Sequence, residues 1–172
     1  MRNPAGPAFV PLPGALPGLQ PGRVREILLH PHPALRLVAR PAGELIWPEI
    51  TALSADLLAT MYAAAGRGLA APQTGVSRRV FVMDAGWKRG VAEPLLLLDP
   101  QILSRSDLTE TAEERCLSIP DLPVMMTRPV EIGIAFYGLD GVRRTLALTG
   151  DAARIAQHEA DHLDGRLIVD AP

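Results

Sequence analysis

Gln157-His158-Glu159-Ala160-Asp161-His162-Leu163 carries an H-E-x-x-H pattern. In a helix, four residues advance the chain about 6 Å and a little over one turn, so the imidazoles of His158 and His162 project from one face toward one point. Glu159 follows the first histidine, where its carboxylate reaches a water on a metal held by the pair without itself ligating the metal. The segment has helix boundaries of its own. Gly150 and Asp151 suit its start, Gly165 suits its end, and Ile155, Ala156 and Leu163 share the inner half with the two histidines. Five-residue patterns with two free positions also arise by chance, and two histidines on one helix face can be ordinary hydrogen-bonded core residues.

The chain has a single cysteine, Cys116, in Ala112-Glu113-Glu114-Arg115-Cys116-Leu117-Ser118-Ile119-Pro120. Without a second cysteine it forms no internal disulfide, so the fold needs no oxidising compartment. Alone it reads as a small buried hydrophobe. Beside the H-E-x-x-H helix it supplies a third ligand, giving one thiolate and two imidazoles with a fourth tetrahedral position for water.

Gly66-Arg67-Gly68-Leu69-Ala70-Ala71-Pro72-Gln73 directly follows a stretch in which Ile50, Leu53, Leu57 and Met61 recur at helical spacing. Pro48 suits that helix's first turn and Gly66 its end. Two glycines two apart permit close approach of another backbone, and Gln73 offers an amide donor for developing negative charge. By itself the segment is a helix stop followed by a small-residue turn.

Together, and in this order, the three segments resemble the peptide deformylases, whose G-x-G-x-A-A-x-Q, E-G-C-x-S and Q-H-E-x-D-H motifs match Gly66 to Gln73, Glu114 to Ser118 and Gln157 to His162. Ile27 to Pro41, with an H-P-x-L-R-x-x-A core, is similar to the family's N-terminal segment, and the likeness runs from about Arg23 to Val169. The resemblance implies hydrolysis of the formyl group from formyl-methionyl peptides, with release of formate. It implies Cys116, His158 and His162 as ligands of one divalent metal, Fe2+ foremost, while the ligand types also admit Zn2+, Ni2+ or Co2+. Glu159 is then the proton carrier, and the side-chain amide of Gln73 and the backbone N–H of Leu117 are the oxyanion donors. The substrate would lie along Gly68 and the cysteine-bearing strand, and Glu114 would pair with Arg128. Asp161 is expected to orient a ligand or cap local backbone.

Four departures mark this chain. Arg115 replaces the glycine of the cysteine motif, Arg67 takes a position that is usually apolar, and Pro123 stands where many members have arginine. Arg67 and Arg115 therefore join Gly68 as candidate substrate-binding residues. The chain also stops ten residues after His162, short of the further helix with which many bacterial members contact the ribosome, so that contact is not expected. Two other readings stay open at this level: a general H-E-x-x-H peptidase, and a homologue of altered specificity or without catalysis that binds metal or a partner.

Composition suits a small enzyme, with 172 residues, 48% hydrophobic residues and a formal net charge of −2 that offers no electrostatic footprint for nucleic acid. No apolar run approaches membrane-spanning length. Residues 1–22 hold six prolines, no serine and one arginine, which suits a mobile arm rather than a signal or transit peptide, and the cytoplasm is the expected compartment. Residues 23–172 are expected to form one domain. Val80 to Met83 and Leu95 to Leu98 are short apolar runs, Val130 to Tyr137 alternates, and Asp140-Gly141 marks a hairpin returning through Leu148. His30 and His32, beside Pro31 and Pro33, read as a loop rather than as ligands. The expected architecture is α+β, with antiparallel sheets wrapped around the central helix that carries H-E-x-x-H.

Overall fold

Pro48 and Glu49 open the first helix, α1 (Trp47–Ala63): the proline needs no N–H partner in the first turn, and the Glu49 carboxylate accepts from the Ile46 N–H at 3.1 Å. The molecule is described by a computed structural model over residues 12–170. α1 stops one residue earlier than the glycine pattern predicts, at Ala65, which adopts the left-handed conformation with φ 53°. The reason lies at Gly66. A Cβ there would come within 2.8 Å of Leu117 Cδ1, so the glycine serves a close approach while an alanine carries the helix-ending torsion.

Seven strands follow among the described residues. β1 (Gly68–Ala70), β2 (Val80–Met83), β3 (Leu95–Arg105), β6 (Glu131–Tyr137) and β7 (Arg143–Thr149) form one antiparallel sheet in the order β1-β2-β3-β6-β7. β4 (Thr109–Cys116) and β5 (Ile119–Pro129) form a separate two-stranded sheet. The second helix, α2 (Gly150–Leu163), ends at Asp164 and the left-handed Gly165. The fold is therefore α+β with antiparallel sheets.

The apolar runs of the central strands are continuous because both sheet faces are covered. Val80, Val82, Leu96 and Leu98 face α1, where they meet Leu53, Leu57, Leu58 and Met61. Phe81, Met83, Leu97, Ile132, Ile134 and Phe136 face the other way, onto Ala153, Ile155, Ala156 and Leu163 of α2. Burying Ile155 and Leu163 contributes about 1.5–3 kcal/mol each to holding α2 against the sheet, and Ala153 and Ala156 let the helix approach closely. A third cluster of Leu35, Cys116, Ile119, Leu167 and Ile168 closes around the β4–β5 turn.

The hairpin turn falls at Asp140-Gly141, where Arg144 pairs with Asp140 and Gly141 has φ 71°. Of the arm expected over residues 1–22, residues 1–11 lie outside those described, while Leu12 and Leu16 rest against the α1 core. Among the described residues, no helix is long and apolar enough to cross a membrane.

Candidate metal centre and active site

Three elements converge on one point. β4 ends at Cys116, α2 presents His158 and His162, and the segment after β1 brings in Gln73. One ligand atom from each of Cys116, His158 and His162 lies within 4.8 Å of the others, all three buried, with Cys116 Sγ 3.3 Å from His162 Nε2. Ligands around a tetrahedral ion with metal–sulfur and metal–nitrogen bonds of the usual lengths stand roughly 3.5 Å apart, so the cluster fits a metal. The chemistry of the donors fits as well. The Nδ1 of His158 meets Glu114 Oε2 at 3.0 Å, which leaves its Nε2 free for an ion.

Glu114 organises this support. Its Oε1 accepts from Arg128 Nε at 2.6 Å and Arg154 Nη1 at 2.9 Å, and its Oε2 accepts from Arg128 Nη2 at 2.9 Å as well as meeting His158. Burial alone would raise the Glu114 pKa, but the hydrogen bonds to His158 and Arg128 outweigh it and hold the group down to about 2. Arg128 reaches onward to Asp161 Oδ2 at 2.8 Å. One guanidinium thus ties the β4 carboxylate to the metal helix.

Glu159 is in a different situation. It is 4% exposed, its Oε2 has no hydrogen-bond partner among the described residues, and burial pushes its pKa up to about 7 against the opposing pull of His158 and Arg128. Its side chain lies over Gly68: a Cβ on that glycine would stand 2.3 Å from Glu159 Oε1. Gln73 is fixed at both ends. Its Oε1 accepts from Ala70 N–H at 2.9 Å, and its Nε2 donates to Ser118 Oγ at 3.1 Å and points at Cys116 Sγ at 3.7 Å. Leu117 occupies the turn between β4 and β5, and among the described residues its N–H donates to no protein acceptor.

These groups line a cleft of about 430 Å³, bounded by Arg67 and Gly68 on one side and by Glu113, Arg115 and Cys116 on the other. β1 is an edge strand and β4 belongs to a two-stranded sheet, so among the described residues each has one side without a partner strand, and both border the cleft. Arg115 points outward from β4 to Glu113 Oε1 at 2.9 Å, as the alternation with Cys116 requires. Arg67 turns to Asp151 in the first turn of α2, at 2.9 Å. His30 and His32 stay outside the site; His32 Nδ1 accepts from the Ala34 N–H. Arg154, Ile155, Lys88 and Asp121 also line the cleft, and sequence reasoning assigned them no role there. Arg154 and Ile155 precede His158 by four and three residues, and the helical spacing that pairs the histidines was the available signal for them.

The chain matches the family model "Polypeptide deformylase" over residues 24–171. The chain belongs to the polypeptide deformylase family. It is 42% identical to the peptide deformylase of Methylocella silvestris over 150 residues, covering 86% of this chain and 76% of that protein. With the peptide deformylase of Phenylobacterium zucineum the identity is 42% over 147 residues, covering 86% of each. Among solved structures, the Thermotoga maritima peptide deformylase superposes with a TM-score of 0.80 at 37% identity, covering 87% of this chain and 99% of that one. A class I type b peptide deformylase from Acinetobacter baumannii with Met-Ala-Ser bound gives 0.79 at 31% identity, covering 86% and 97%. The deformylases are metal-dependent hydrolases, and the cysteine–histidine cluster of this chain is a candidate site for that metal.

Proposed function

We propose that this deformylase removes the formyl group from formyl-methionyl peptides, with Glu159 moving the proton and Cys116, His158 and His162 holding an Fe2+ ion. The thiolate and imidazole donors would also take Zn2+, Ni2+ or Co2+. When bound, such an ion acts as a Lewis acid and makes a water acidic enough to react at neutral pH. The remaining work falls to the protein. Glu159 takes a proton from the water as its oxygen bonds to the formyl carbon, and the negative charge that develops on the formyl oxygen meets Gln73 Nε2 and the Leu117 N–H. Glu159 then returns the proton to the nitrogen as the C–N bond breaks, leaving formate and a free amine.

The observation that carries this reading is the Glu159 carboxylate, buried, with one oxygen unpartnered, beside three convergent ligand atoms. Burial raises the Glu159 pKa in the metal-free site, the direction that suits a group that must both accept and release a proton. The two open strand edges suit an extended peptide, which would add main-chain hydrogen bonds along β1 and β4. The Acinetobacter baumannii relative was solved with Met-Ala-Ser bound, a short peptide that begins with methionine.

Formate release from formyl-Met-Ala-Ser by anaerobically purified, iron-loaded protein tests the proposal. Glu159→Ala should keep its metal and lose about 10² to 10⁴-fold in kcat. Loss of metal from that variant, or unchanged turnover, overturns the role given to Glu159.

A further inference from the structure

The cleft separates its charges from one side to the other. On the β1 side Arg67 lines the cleft, and its Nη1 and that of Arg89, which lies outside the lining, donate to the same oxygen, Asp151 Oδ2, at 2.9 and 3.1 Å. Lys88 lines the cleft beside them with no acidic partner among the described residues, and its ammonium stands over the Trp87 ring instead. Two arginines thus share one carboxylate, and the lysine adds a third positive charge without one. On the opposite rim Arg115 is matched by Glu113, and Asp121 adds a negative charge, while Arg154 at the floor is fully engaged with Glu114 and the carbonyls of Met126 and Glu110.

The turn that carries Lys88 and Arg89 is braced. Asp84, fully buried, accepts from the N–H groups of Gly86 and Trp87 at 3.2 and 3.1 Å and from the Tyr62 hydroxyl at 2.6 Å. The Trp87 indole N–H donates to the Gly66 carbonyl at 2.8 Å, which locks the turn to the chain entering β1. The turn that carries the excess cations is therefore fixed beside β1, within reach of a peptide laid along that edge.

Resting on the deformylase reading, we propose that the Arg67–Lys88–Arg89 wall selects substrates carrying a carboxylate downstream of the formylated residue, from an acidic side chain or a free C-terminus. The wall is exposed, with Arg89 65% exposed at the side chain, so its effect is a preference of modest size that salt screens.

The test compares kcat/KM for formate release from four formyl-Met-Ala-X peptides: X as Asp amide, Asn amide, Lys amide and Asn free acid. A carboxylate-bearing peptide should exceed the Asn amide by about three- to tenfold at low ionic strength, and the ratio should shrink as salt is added. The Asp amide and the Asn free acid separate the two sources of carboxylate. In the Lys88→Ala/Arg89→Ala double variant the ratio should approach one, and Lys88→Glu/Arg89→Glu should turn the preference toward the Lys amide. Equal rates on all four peptides, or a preference that survives both double variants, overturns the proposal while leaving the deformylase reading intact. No formate from any peptide overturns the reading on which it rests.

Discussion

Glu159 Oε1 occupies the space that a side chain on Gly68 would fill, 2.3 Å from the position of the missing Cβ. The glycine of the cleft wall makes room for the Glu159 carboxylate, whatever it also does for a peptide. Gly68→Ala should push Glu159 off its position, keep the bound metal and lower kcat by about 10²-fold, the lower end of what proton transfer contributes. Elemental analysis and steady-state kinetics on one preparation check both halves, and turnover within twofold of the parent would show that Glu159 has room to move.

The three candidate metal ligands come from two elements, so an ion held by them should tie β4 to α2. Cys116→Ala, His158→Ala and His162→Ala should each lose most bound metal and melt at lower temperature than the parent, and a chelator should lower the parent's Tm toward theirs. Full metal occupancy in all three variants would rule out this ligand set.

Glu114 makes stability depend on acid. Its folded pKa is lowered from 4.5 to about 2 by His158 and Arg128, acting against burial, so its contribution is fully present above about pH 4.5 and is lost as pH falls through the window down to about 2. The shift corresponds to at most about 3 kcal/mol. Denaturant unfolding at pH 5 and pH 3, with a chelator present so that metal release does not contribute, should show a steeper loss for the parent than for Glu114→Gln. Equal losses would mean that the carboxylate is no better stabilised folded than unfolded.

Arg115 stands on the outer face of β4, where it pairs with Glu113 at the rim of the cleft. Arg115→Gly should raise kcat/KM on formyl-Met-Ala-Ser by a few fold through an easier approach of the peptide to the β4 edge. No gain in that ratio would mean that the guanidinium swings clear of the path.

The helix that carries the histidines was legible because its period, its start and its stop agree: Ile155, Ala156 and Leu163 face the sheet in the same turns that aim His158 and His162. The strands Val80–Met83 and Glu131–Tyr137 were legible for the same reason, as runs or alternations that match their burial. β5 was not, since Pro120, Pro123 and Pro129 argue against a strand; a two-stranded sheet tolerates them because it has open sides where no N–H is needed. β1 is three residues long, too short for any period to appear, and so read as a turn. The cluster of Arg67, Lys88 and Arg89 was hidden because Arg67 is about twenty residues from the other two in sequence and is tied to Arg89 only through Asp151 on α2.

A strand side left open to receive one extended chain cannot by hydrogen bonding alone distinguish a substrate from a neighbouring molecule of the same protein. Self-association along such a side would need several consecutive pairings, and the three residues of β1 supply few. On β4 the outward-facing Glu113 and Arg115 put charge where another sheet would have to dock. The brevity of one strand and the charges on the other are thus also a defence against aggregation.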